Sequence, residues 1–165
     1  MLRLFIQINA IVLLSCALVA QDSTKLKFVD FKVSDIFHGK PKAPDILSNK
    51  KAKMYRSVIR KGSKSGANFA GHYNIVVWGC GTSCQAFAIV DAITGKIYFP
   101  NELSFVSWGD WWESEYGLTF QLDSNLLVVY GRCEEKDPKG FFYFLWTENR
   151  LKLIKTIAKD STGAG

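Results

Sequence analysis

The sequence predicts a mainly β protein, an antiparallel sheet or sandwich-like single domain with one short helix near its N-terminal end. Three observations point there. From Gly71 onwards β-rich runs follow one another, short polar or glycine-bearing connections separate them, and helical spacing of apolar residues appears only between Ala52 and Ile59.

The first twenty residues, MLRLFIQINAIVLLSCALVA, carry one positive charge at Arg3, an apolar run from Ala10 to Leu14 and small residues towards the end. That run is too short for a ~30 Å hydrocarbon core, so a secretory signal is expected rather than a membrane anchor. Cleavage after Ala20 would begin the mature chain at Gln21. A competing reading takes Leu13-Leu14-Ser15-Cys16 as a lipobox with Cys16 lipidated, although leucine at its second position is a poor match. No later segment approaches the ~20 consecutive apolar residues of a membrane helix. The expectation is therefore a periplasmic or secreted protein, membrane-bound only if Cys16 is lipidated. Residues 21–160 form one domain large enough for a genuine core, and the tail 161–165 is expected to be disordered.

Within that domain, LKFVDFKV is expected to be extended, and Asp35 to Asn49, with Gly39, Pro41 and Pro44, reads as a loop. Ser48 then caps a short helix marked by Ala52, Tyr55 and Ile59 and stopped by Gly62. KGSKSGAN connects it to HYNIVVWGC, followed by a Gly81-Thr82-Ser83 turn, CQAFAIVD, a turn through Ala92-Ile93-Thr94-Gly95, and KIYFP. Ser124-Asn125 joins LTFQLD to LLVVYGR, and Glu148-Asn149 joins FFYFLWT to RLKLIKT; connections this short imply antiparallel neighbours. IVVW and AFAIV are apolar on both faces, as expected of central strands covered on each side. Hairpin-sized units recur, but their spacing is irregular and no dipeptide signature returns, which disfavours a propeller.

The formal charge is +6, yet it is unevenly placed. From Lys40 to Lys64 nine Lys or Arg face one acid, Asp45. A solvated helix face is the simplest account. Such a patch would also meet phosphate-rich envelope lipid or an acidic partner.

The run ANFAGHYNIVVWGCGTSCQAFAIVDAITGKIYFP, from Ala67 to Pro100, resembles a family of small exported bacterial proteins. The shared features are N-F-A-G-H-Y, W-G-C-G-T-x-C and D-x-x-T-G-K segments, with Tyr55, Arg56 and Arg60 resembling that family's short helix. The resemblance implies a shared fold and carries no assigned activity.

Cys80 and Cys84 are spaced by three residues between two strands, whereas redox pairs are usually spaced by two at a helix N-terminus. A hairpin with a three-residue loop would set them opposite each other at ~4.5–5.5 Å between Cα atoms, within reach of a disulfide. Pairing of either cysteine with Cys133 stays open. Zinc is disfavoured because exported cysteines oxidise, and no metal or other cofactor is expected. His72 lies eight strand residues from Cys80, about 26 Å away, so it is not a base for that thiol. A structural histidine with its ring bonded to a nearby carbonyl is the expectation, with a binding role as the alternative.

FVSWGDWWESEYG, residues 105 to 117, sets Trp108, Trp111, Trp112 and Tyr116 beside Asp110, Glu113 and Glu115, a composition suited to core packing or to sugar or peptide recognition. Glu113 and Glu115 would lie about 7 Å apart on one side of a strand, which alone does not make a glycosidase pair. Phosphate loops, HExxH, GxSxG and nucleic-acid modules are all missing.

The leading expectation is an exported, non-enzymatic binding or inhibitor-like domain acting on a protein or cell-envelope component, with no nucleic-acid partner. Its candidate binding residues are His72, Gly81, Thr82, Ser83, Trp111 and Trp112, and its candidate disulfide is Cys80–Cys84. The alternatives are a thiol-dependent hydrolase of envelope polymers, with Cys84 or Cys133 as nucleophile and His38 as base, and a structural envelope lipoprotein.

Overall fold

A computed structural model describes residues 25–108 and 116–159. Its eight strands are β1 (Tyr73–Gly81), β2 (Cys84–Asp91), β3 (Ile97–Tyr98), β4 (Phe105–Ser107), β5 (Gly117–Phe120), β6 (Leu126–Cys133), β7 (Gly140–Thr147) and β8 (Arg150–Ala158). They form one sheet, ordered β1-β2-β4-β6-β7-β8, with β3 also paired to β2 and β5 to β6. Every pairing is antiparallel. The mainly β, antiparallel fold class expected from the turn spacing is therefore what the chain adopts.

Local chemistry explains the tight turns. Glu148 and Asn149 both take positive φ, 50° and 61°, the geometry that lets a two-residue connection follow the strand twist. At the β2–β3 turn the Asp91 carboxylate accepts from the Ile93 and Thr94 backbone N–H groups and from the Thr94 hydroxyl. An acceptor at the first turn position replaces the ladder bonds that those donors lose.

The helical segment is Lys50–Met54 (α1) and Arg56–Gly62 (α2), interrupted at Tyr55. Its cap is Asn49 rather than Ser48, because the Asn49 side chain accepts from Ala52 N–H at 2.8 Å while the Ser48 hydroxyl turns back to the Asp45 carbonyl. The expected extended opening is also corrected: Phe28–Phe31 is a short 3-10 turn. Ser124 holds it by donating its hydroxyl to the Phe28 and Phe31 carbonyls.

A second correction concerns β1, which is an edge strand and not a central one. Both its faces are still covered, because the sheet has a core on each side. Ile75 enters the larger core with Phe87, Ile89, Val106, Leu127, Val129 and Phe144, residues drawn from strands along the whole sheet. Val76 enters the smaller one, where Ala52 and Ile59 of the helical segment pack over Ala88, Val90 and Ile97. Side chains alternate along a strand, so two-sided apolarity records the helix overhead and not a strand on each edge.

The sheet curls round the larger core. At one corner the Tyr73 hydroxyl donates to Asn149 Oδ1 at 3.0 Å, tying the start of β1 to the β7–β8 turn. The Tyr73, Tyr98 and Trp146 rings meet edge to face there, with centroids 5.3–6.3 Å apart. The expected signal segment with Cys16, the tail 161–165, and residues 109–115 with Trp111 and Trp112, lie outside the described residues.

Candidate functional site

The β1–β2 tip is built from a strand that loses its cover as it advances. Ile75 and Val76 are buried, Val77 and Trp78 are half-buried, and Gly79 to Thr82 are exposed. Cys80 and Cys84 stand at disulfide distance, with Cα atoms 5.2 Å apart, and Cys133 keeps a free thiol. The route to that pairing differs from the three-residue loop expected. Gly81 pairs with Cys84 across a two-residue Thr82-Ser83 turn, and the register shifts between Gly79 and Gly81. Cys80 therefore sits in a bulge, and the bulge turns it towards its partner.

Two further contacts fix the tip. The Ser83 carbonyl accepts from Trp108 N–H at 2.9 Å, and Cys84 pairs with Ser107 of β4. The start of the tryptophan-rich segment is thus brought against the tip.

Beside the tip opens a cleft of about 160 Å³, lined by Lys51, Tyr55, Trp78, Cys80, Phe99 and Phe105 among others. Tyr55 and Trp78 pack with ring centroids 4.7 Å apart, and the Lys51 ammonium lies 5.8 Å from the Phe99 ring centre. These residues span more than fifty sequence positions. Only the interruption at Tyr55, which ends α1 beside Trp78, and the packing of the helical segment over β1 bring them together. All six stood inside segments already singled out, but nothing in their spacing signalled a shared cavity.

A second aromatic feature crosses the strands. Trp108, Tyr116, Tyr130 and Phe141 stack in a row, with centroids 5.5, 5.1 and 4.3 Å apart. Lys139 donates to the Tyr116 hydroxyl at 2.7 Å and lies over its ring, and Lys159 lies over Tyr130. Lysines are thus among the partners of these rings, while Asp110, Glu113 and Glu115, the carboxylates named from the sequence, lie outside the described residues. The register Gly117↔Tyr130↔Phe141 creates the row, and register is not written in any one strand.

His72 is placed away from the tip, at the other end of β1. Its ring lies 4.1 Å from that of Tyr73, and its carbonyl accepts from Ala92 N–H. No ring hydrogen bond to a carbonyl is formed among the described residues, so stacking takes the place of the contact expected. Burial, first, and the neighbouring Tyr98 push the Tyr73 phenol up, which keeps its hydroxyl a neutral donor to Asn149. His38 is exposed in the loop before α1. Among the described residues no three His, Cys, Asp or Glu side chains gather in a way that could hold a metal.

Cys133 pairs with Val106 across β4–β6 and packs against the larger core. Burial, aided by the Glu134 charge, pushes its thiol up to about 12. Since the ordinary value is near 9.0, the folded chain holds this proton more tightly than the unfolded chain does. Its contribution to stability is fully present below about pH 9 and is lost as pH rises towards about 12. Iodoacetamide should accordingly label Cys133 slowly in folded protein at neutral pH and quickly after denaturation. Equal rates in the two states would contradict the burial assigned to this thiol.

Among the described residues no helix is long and apolar enough to cross a membrane. No family model, no curated protein and no solved structure matches the chain.

Proposed function

We propose that this chain is an exported, non-enzymatic binding domain of inhibitor-like type, which presents the stapled β1–β2 tip and the adjoining aromatic cleft to a protein of the cell envelope. Cys80 carries the proposal: it is exposed at the tip, forms half of the staple, and lines the cleft. A partner covering the tip therefore also reaches the cleft.

Size selects the kind of partner. Small-molecule sites typically enclose ~300–1,000 Å³, well above the volume of this cleft. A space of about 160 Å³ suits one inserted side chain, with Tyr55 and Trp78 as apolar walls and Lys51 at hand for a carboxylate. Tyrosine and tryptophan are also the residues that most often dominate binding energy at protein interfaces. The staple and the Trp108–Ser83 hydrogen bond order the tip before a partner arrives, which reduces the entropy lost on binding.

Export is supported by the signal-like first twenty residues, by the resemblance of residues 67–100 to small exported bacterial proteins, and by a disulfide, which persists in oxidising compartments. A thiol-dependent hydrolase has less support, since Cys84 is paired and the Cys133 thiol is held neutral. Lipidation at Cys16 would anchor the same domain and leave the tip available. Metabolic lipid labelling tests it.

The binding experiment immobilises the mature protein, captures partners from envelope extract, identifies them by mass spectrometry and measures their affinity after purification. Thr82→Glu at the exposed tip and Trp78→Ala in the cleft should each weaken the retained interaction at least about tenfold. Lys152→Glu, exposed on β8, should leave it unchanged. Retention of every partner at wild-type affinity by both tip variants would sink the proposal.

A further inference from the structure

A second surface, separate from the tip, is formed where the loop before the helical segment meets α2. There a groove of about 540 Å³ is lined by Lys40, Lys42, Arg60 and Lys64, with Pro41, Ala43 and Pro44 as its apolar part. None of the four cations has an ion-pair or side-chain hydrogen-bond partner among the described residues. Fifteen residues, 45 to 59, separate its two walls, so the groove is a product of folding and not a local run of lysines.

Both walls are held firmly. Lys42 N–H donates to the Ala92 carbonyl at 2.8 Å and Asp45 N–H to the Gly95 carbonyl at 2.7 Å, which pins the loop to the β2–β3 turn. At Gly95, φ is +79° and an added Cβ would stand 2.3 Å from the Ala43 carbonyl oxygen, so the approach needs glycine. On the other wall Ile59 is fully buried and the Ser63 hydroxyl donates to the Ile59 carbonyl, fixing the stretch that bears Arg60 and Lys64.

The neighbouring carboxylates are engaged in turns. Asp45 accepts from Leu47 N–H, and Asp91 is buried with three bonds from its own turn. Neither forms an ion pair with the groove's cations among the described residues, and with four cations against these two acids the groove keeps a net positive charge. Large apolar side chains are also left in solvent on the same segments: Leu47 and Met54 are 77% and 70% exposed, and Ile93, in the turn that pins the loop, is 50% exposed. Cationic and apolar side chains exposed on neighbouring segments match a bilayer interface, where phosphates meet acyl chains.

We infer that this face docks on an anionic lipid surface, with Lys40, Lys42, Arg60 and Lys64 receiving lipid phosphates and Leu47, Met54 and Ile93 entering the headgroup boundary. The docking requires no lipid on Cys16 and no partner at the tip. Charge complementarity sets the partner's sign, and the apolar residues distinguish a bilayer from a soluble anion.

Co-sedimentation of the mature protein, residues 21–165, with vesicles tests this. Vesicles of phosphatidylcholine with phosphatidylglycerol should bind it, vesicles of phosphatidylcholine alone should not, and binding should fall as salt is raised. Lys42→Glu with Arg60→Glu should weaken partitioning by about thirty-fold or more, since each base near an anionic surface contributes on the order of a factor of five. Leu47→Ser with Met54→Ser, both highly exposed and harmless to the core, should weaken it by roughly tenfold. Lys152→Glu with Lys155→Glu, an equal charge reversal on β8, should leave it nearly unchanged. Equal loss in that control would reduce the effect to net charge and overturn the inference. So would wild-type partitioning by the Leu47/Met54 variant, or full displacement by inorganic phosphate at matched ionic strength, which would mark a soluble-anion site.

Discussion

Phe69→Ala should lower the unfolding free energy by about 3–5 kcal/mol, read as a shift of the urea midpoint at unchanged slope. Phe69 is fully buried in the larger core and meets Phe120 edge to face, with centroids 6.2 Å apart. Its backbone also closes the turn into β1, because Phe69 N–H donates to the Tyr73 carbonyl and Tyr73 N–H to that of Phe69. Truncation leaves a cavity the turn cannot collapse to fill. A loss below about 1 kcal/mol would mean that this site repacks, contrary to the packing described.

Gly71→Ala should cost about 3 kcal/mol by a different route. Gly71 has φ +82°, where a side chain alone costs ~1–2 kcal/mol, and the new Cβ would stand 2.3 Å from the Asp35 carbonyl oxygen. Moving that strand of loop costs a further ~1–3 kcal/mol and disturbs the bonds from Phe37 N–H to the Gly71 carbonyl and from Gly71 N–H to that of Leu122. The same denaturation experiment measures it. A neutral effect would show that the loop before α1 yields freely.

These two predictions assign the N-F-A-G-H-Y segment to architecture. Asn68 supplies the rest: its side-chain oxygen accepts from Ile75 N–H at 2.7 Å and its amide donates to the Ile75 carbonyl at 3.1 Å, extending the sheet's ladder by one side chain. His72 is carried in the same turn, half-buried on the Tyr73 ring and remote from the tip.

The hairpins were legible because each is local. Glu148-Asn149 and the Asp91 turn contain the residues that their backbone geometry needs, so flanking strands had to be antiparallel neighbours. What depends on distant packing was not. The two-sided apolarity of β1 suggested a central strand, yet one of its covers is the helical segment and not another strand. β4 has only three residues, and it joins the two halves of the sheet by pairing with both β2 and β6. The cysteine pair was legible from spacing as one of several pairings, while the cleft beside it was not. Its walls come from the helix, β1, β2, the segment after β3, and β4, and they meet only after the sheet has curled.

The central claim is that the staple shapes a binding surface more than it stabilises the fold. Its ring is so small that, by chain entropy, Cys80→Ser with Cys84→Ser should cost at most about 2 kcal/mol. The decisive measurement is the affinity of this folded double variant for the purified partner, beside the oxidised wild type. Loosening Gly81-Thr82-Ser83 should weaken binding at least about tenfold, because the tip must then be ordered on association. Unchanged affinity in a variant that remains folded would contradict the account.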